Sequence, residues 1–224
     1  MHMKKRLLHL IMLSAAGSAF ALLPPPQSEI ACPVGGEEFW ATMHDSAPEY
    51  QICPGNKLVF KTAKYGKFTK QELAHYEKII NSKAYRNLPA HAENAHRIAA
   101  FAELSGGYSP AAVGWLYFRA ANGKYPGEPY SRAELKRLHR KALSHLNKAL
   151  REPGSPQDKQ SARYALAGIY RISGDFTRAE SVLRTLLQDN LDPNDRKDTE
   201  YVLESVRLKD SGHILPRFHR PAMP

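Results

Sequence analysis

Apolar residues fall along this chain in three regimes. From Leu7 to Phe20 they form an almost unbroken run, interrupted only by His9, Ser14, Gly17 and Ser18. Over 30–68 they come in short groups parted by Gly35, Gly36, Pro48, Pro54, Gly55 and Gly66, which reads as a turn-rich segment with one short strand at Leu58-Val59-Phe60. From Thr69 the spacing becomes helical almost to the end. Thr69-Lys70-Gln71-Glu72 is a capping box, in which hydroxyl and carboxylate serve the first free amides of a helix. Leu73, Tyr76, Ile79 and Ile80 line one face behind it. A helix over 92–105 buries Ile98, Phe101 and Leu104 and stops at Gly106-Gly107. Ser109-Pro110 opens the next helix, which carries Val113, Leu116 and Tyr117. Ser131-Arg132-Ala133-Glu134 is a second capping box, followed by the stripe Leu135, Leu138, Ala142, Leu146, Ala149. Further helices are expected at about 157–173, 176–189 and 194–209, with a flexible tail over 210–224.

The first regime is an address. Lys4, Lys5 and Arg6 precede the apolar run, and Ala19-Phe20-Ala21 is a small-residue cleavage site. Pro24, Pro25 and Pro26 follow in a Pro-rich linker over 22–29. The run is too short and too punctuated for a membrane span. Residues 1–21 therefore read as a signal peptide cut after Ala21, and the protein as periplasmic or secreted. Cleavage removes three cations and no acid, so the remainder stays basic.

Export decides how the two cysteines are read. In an oxidising compartment Cys32 and Cys53, each opening a Cys-Pro turn, are expected to pair in a disulfide. Two cysteines are too few for a four-thiolate zinc site, and a site built from Cys32, Cys53 and His44 would need a fourth ligand that the sequence does not offer. No metal and no cofactor are expected.

Two stretches resemble known families. CPVGGEEF, CPGNKLVF and KFTKQELAHYEKIINSKAYRNL together resemble a bacterial family of unknown function built on a CPxCG knuckle and a second Cys-Pro turn, over roughly 30–88. Gly35 stands where the second knuckle cysteine belongs, so half of the paired thiolate site is missing. QSARYALAGIYRISGDFTRAESVLRTLLQDNLDP resembles a tetratricopeptide repeat through Leu166, Ala167, Tyr170, Gly174, Phe176, Ala179 and Leu183. Arg163 departs from the family's preferred Trp, and Leu186 from its small residue. The resemblance implies a helical hairpin in which Ala167 and Ala179 let the helices approach and Gly174 makes the turn. The helices after Ser109 and Ser131 read as a second such hairpin with an over-long connection, and 194–209 as a terminal cap. The expected fold is mostly α: an irregular α-solenoid of helical hairpins over 69–209, with a small, disulfide-bridged, turn-rich lobe over 30–68.

Charge adds one feature. The 224 residues carry 32 Lys and Arg against 22 Asp and Glu, a formal charge of +10. Between Glu49 and Glu72 there is no acid, while Lys57, Lys61, Lys64, Lys67 and Lys70 recur every three or four positions with Phe60, Tyr65 and Phe68 among them. Such a stripe suits a polyanion, and it equally suits a solvated surface. The helix after Ser131 repeats the theme with Arg132, Lys136, Arg137, Arg140, Lys141 and Lys148. Export disfavours nucleic acid and leaves anionic lipid, cell-wall polymer or an acidic protein.

Catalytic motifs are missing: there is no HExxH, no GxSxG and no phosphate-cradling glycine loop. His91 and His96 do not share a helix face, nor do His139 and His145. The expected function is a non-enzymatic exported scaffold or adaptor for a protein or peptide of the bacterial envelope, with Trp115 and Tyr117 as candidate groove residues, although core packing suits both better. The alternatives are a basic binder of anionic polymer or lipid, and a cell-wall hydrolase acting through Glu103. The pattern leaves the oligomeric state open.

Overall fold

A computed structural model describes residues 27–43, 48–89, 92, 94–122 and 131–212. The leader, most of the Pro-rich linker, His44, His91, the connection over 123–130 and the tail from 213 onward lie outside the described residues.

The described chain opens with two antiparallel hairpins, β1 (Ser28–Ala31) with β2 (Glu38–Ala41), and β3 (Tyr50–Ile52) with β4 (Val59–Lys61). Their register sets Ile30 opposite Phe39 and Gln51 opposite Phe60. β1 starts inside the segment read as linker, and the strand read at 58–60 begins one residue later. Both hairpins turn in the same way. The Cys32 amide donates to the Glu37 carbonyl at 2.7 Å, and the Cys53 amide to the Leu58 carbonyl at 2.9 Å. The two cysteines thus occupy equivalent corners, with Cα atoms 5.7 Å apart, and form a disulfide. Each loop also reaches into the other. Asn56 donates from Nδ2 to the Val34 carbonyl at 2.6 Å, and the Gly55 amide donates to Glu37 Oε2 at 2.6 Å.

Eight α-helices follow among the described residues: α1 (Lys70–Asn81), α2 (Lys83–Arg86), α3 (Asn94–Ser105), α4 (Pro110–Asn122), α5 (Arg132–Arg151), α6 (Pro156–Ile172), α7 (Phe176–Leu186) and α8 (Pro193–Arg207). Both capping boxes form, at Thr69/Glu72 and Ser131/Glu134. Asp192 caps α8 and places Pro193 in its first turn, where the missing amide costs nothing.

Two apolar cores result, and they do not divide at residue 69. Ile79, Ile80 and Tyr85 of α1 and α2 are buried with Ile30, Leu58, Val59, Phe60 and the disulfide, so these helices belong to the lobe. A chain of rings runs through that core: Phe60 to Phe68 at 6.0 Å, Phe68 to Tyr76 at 6.0 Å, Tyr76 to Phe101 at 5.1 Å. Phe101 lies on α3 and carries the lobe onto the helical part. The second core gathers α3 to α8. There α4 is apolar nearly all round, and such a helix must be enclosed. Helices pack mainly on their chain neighbours, with α4 also against α6.

Two local features shape the C-terminal half. Gly174 joins α6 to α7 at φ +80°. Gly174→Val is expected to cost about 1–2 kcal/mol, because a β-branched residue is strained in the left-handed region although the space around it is open. Urea unfolding checks this, and an unchanged midpoint would refute the turn. Arg171 is 1% exposed at the end of α6. Its guanidinium donates to the Asp210 carbonyl at 2.9 Å and to the Gly212 carbonyl. Residues 210–212, read from sequence as the start of a flexible tail, are therefore tied to the core.

Candidate functional site

The five lysines of the stripe fall on different local structures and most have partners within the chain. Lys57 takes a positive φ of 60° in the second hairpin loop, and its ammonium turns back to the Pro54 carbonyl. Lys61 ends β4 with its ammonium 6.0 Å over the Tyr108 ring. Lys64 pairs with Glu72 at 2.8 Å, Lys67 donates to the Ala63 carbonyl at 3.3 Å, and Lys70 is the exposed first residue of α1. The interleaved aromatics point the other way: Phe60 is buried, and Phe68 and Tyr65 pack against it. The spacing that suggested an aromatic–basic binding strip thus places the rings in the core, because they supply the apolar mass that a small lobe lacks.

Lys61 and Lys64 do share one feature. They stand at the edge of a cavity of about 330 Å³ where the second hairpin, α1 and the end of α3 meet. Its walls are mainly aromatic, with Tyr50, Phe60, Tyr76, Phe101 and Tyr108. Burial raises the phenol pKa of both Tyr50 and Tyr108. Glu72, at the same edge, is already committed. A hydrogen bond from Lys64, then those from the Thr69 amide and hydroxyl, hold its carboxyl down at about 2.

Trp115 and Tyr117 do not line a groove. Both sit on the enclosed α4, 6% and 3% exposed, so the groove reading for these two residues is withdrawn. Tyr117 has another task, which the sequence did not reveal. Its hydroxyl donates to Glu103 at 2.6 Å, beside Lys141 at 2.7 Å and the His145 ring nitrogen at 3.1 Å. The partners are 38 and 42 residues away on α5. Burial alone would raise the Glu103 carboxyl, but these three hydrogen bonds together with the charge of Lys141 bring it down to about 2. A general acid needs the opposite shift. Glu103 is an ionised strut joining α3, α4 and α5.

That strut has a pH signature. The folded pKa of Glu103 lies below its ordinary value of 4.5, so the stabilisation is fully present above pH 4.5 and fades as pH falls towards 2. Its size is about 2–3 kcal/mol for a carboxylate still partly wetted. Glu103→Gln should lose about that much at neutral pH and show a smaller further loss on acidification than the parent. Urea unfolding at pH 7 and pH 3 measures the difference, and parallel pH profiles would refute the strut.

The exposed back of α5 is basic. Arg132, Lys136 and Arg140 form an i, i+4, i+8 ridge with Arg137 beside it. None of these four makes an ion pair among the described residues, whereas Lys141 is held by Glu103 and Lys148 by Glu152. Like charges at this spacing oppose the helix by a few tenths of a kcal/mol per pair.

Among the described residues no three His, Cys, Asp or Glu side chains converge on a metal position, and the disulfide occupies both thiols. Asn56 fills the place facing Gly35, where a Cβ would stand 3.4 Å from its Nδ2. Among the described residues no helix is long and apolar enough to cross a membrane. No family model, curated protein or solved structure matches the chain.

Proposed function

We propose that this protein is an exported, non-enzymatic scaffold that docks an acidic protein partner of the bacterial envelope on the basic ridge of α5. The ridge carries the reading: three cations in register, none of them in an ion pair among the described residues, cost the helix stability and favour an external anionic surface. The disulfide supports export, since such bonds persist in oxidising compartments, and a leader cleaved after Ala21 would deliver the chain to the periplasm or beyond. The helical part supports a scaffold. In this reading α4 with α5 and α6 with α7 are tetratricopeptide-like hairpins of an irregular α-solenoid, and α8 is the cap. Packing between chain neighbours, plus α4 against α6, is what stacked hairpins produce.

A photo-crosslinking residue at position 136 tests the proposal in cells. The expected result is one dominant protein adduct, lost when Arg132, Lys136 and Arg140 are all replaced by Glu and weakened by salt. Absence of any protein adduct, with binding of the purified chain to phosphatidylglycerol vesicles or to teichoic-acid polymer, would replace this reading with that of a binder of anionic lipid or polymer. A cleared zone on peptidoglycan produced by the purified chain would replace it with a hydrolase.

A further inference from the structure

We infer that the cavity between the lobe and the helical part is a binding site for a small apolar or aromatic molecule bearing one carboxylate. This does not depend on the docking role of α5.

The volume of about 330 Å³ lies at the lower end of the range of small-molecule pockets, which suits a single-ring body. The walls come from three elements fixed to one another by the ring contacts of Phe60, Phe68, Tyr76 and Phe101, so the space is formed before any ligand arrives. Pre-formed aromatic walls hold a flat apolar body at little conformational cost.

The charge at the edge selects the polar group. Lys64 and Glu72 neutralise each other at 2.8 Å. The His75 ring nitrogen is engaged by the Ser105 carbonyl at 3.1 Å. Lys61 remains. It makes no ion pair among the described residues, and its ammonium lies 6.0 Å over the Tyr108 ring, while Glu49, whose charge reaches Tyr50 and Tyr108, stands outside the cavity lining. Within the cavity lining Lys61 is therefore the one cation outside an ion pair, beside a mainly aromatic interior. One negative charge complements it. A phosphate would bring a second charge without a second cation to meet it, so the chemistry favours a monocarboxylate. Lys61 would hold that carboxylate by a charge-assisted hydrogen bond, while Phe60, Tyr76 and Tyr108 enclose the body.

Amide shift perturbation of the isotope-labelled chain, with phenylacetate as probe and phenylacetamide as its neutral counterpart, provides the test. Saturating shifts are expected around Lys61, His75 and Gly107. The acid should bind about tenfold more tightly than the amide, the ratio a charge-assisted hydrogen bond confers. Lys61→Met should remove that ratio while leaving the weak amide binding and the melting temperature as they were, and Lys61→Arg should keep it. A third probe, acetyl-Ala-Phe with a free carboxylate, separates a small molecule from a peptide end. Binding of this dipeptide alone would overturn the small-molecule assignment. Absence of saturating shifts at millimolar phenylacetate, equal affinity for acid and amide, or an unaltered ratio in Lys61→Met would each overturn the site.

Discussion

Gly114→Ala should destabilise the protein by about 2–3 kcal/mol and lower its melting temperature by roughly 5–10 °C. On an exposed helix the same change would be favourable by about 1 kcal/mol, because alanine is the better helix former. Here the sign reverses through packing. A Cβ at this position would stand 2.7 Å from both Cγ and Cδ2 of Leu146 and 3.0 Å from its backbone nitrogen. Leu146 is completely buried in the stripe of α5, so it has nowhere to swing. Relief requires α4 and α5 to separate, which loosens the contacts of the most enclosed helix in the fold. Leu146→Ala is the control. It leaves a cavity of its own, but in that background Gly114→Ala should cost much less, and the double-mutant cycle reads the coupling. A neutral or stabilised Gly114→Ala would mean that the two helices do not meet at this point.

Loss of the disulfide is the second large effect. Cys32→Ser with Cys53→Ser should cost about 3 kcal/mol, from the chain entropy released when a link spanning 21 positions is cut. The lobe has little to set against this. Its strands are three or four residues long, and two-stranded hairpins of that length are marginal alone. What remains is the apolar contact with α1, α2 and Phe101, together with the cross-links of Asn56 and Glu37. The expected outcome is a lobe that opens ahead of the helical part, seen as early loss of amide protection over 28–41 and 50–61 in hydrogen exchange. Protection and melting temperature equal to those of the parent would show that the hairpins hold without the bridge.

Sequence and structure agree most closely where the causes are local. Thr69 and Ser131 were readable as caps because a hydroxyl and a carboxylate three residues on can serve only a helix start. The stripe from Leu135 to Ala149 was readable because α5 buries one face and solvates the other. The disulfide followed from two equivalent Cys-Pro turns in a chain that reads as exported. β1, β2 and β3 left no such trace. Each is short and points one or two residues inward, so no alternation builds up, and α2 is a single turn. α4 left two readings open for the opposite reason: a helix apolar all round has no period that distinguishes a groove wall from a core, and burial of Trp115 and Tyr117 chose the core.

The sequence by itself determined where the two box-capped helices start, which face of α5 meets the core, which cysteines pair and the basic character of the chain. These depend on neighbours within a few residues, or on the only available partner. Tertiary structure alone decided that Phe60 and Phe68 turn inward while Lys61 stands at the edge of a cavity. It also decided that α1 belongs to the lobe, and that Glu103 is fastened by groups on α5. Those outcomes depend on distances between residues tens of positions apart, and such distances exist only once the helices have packed.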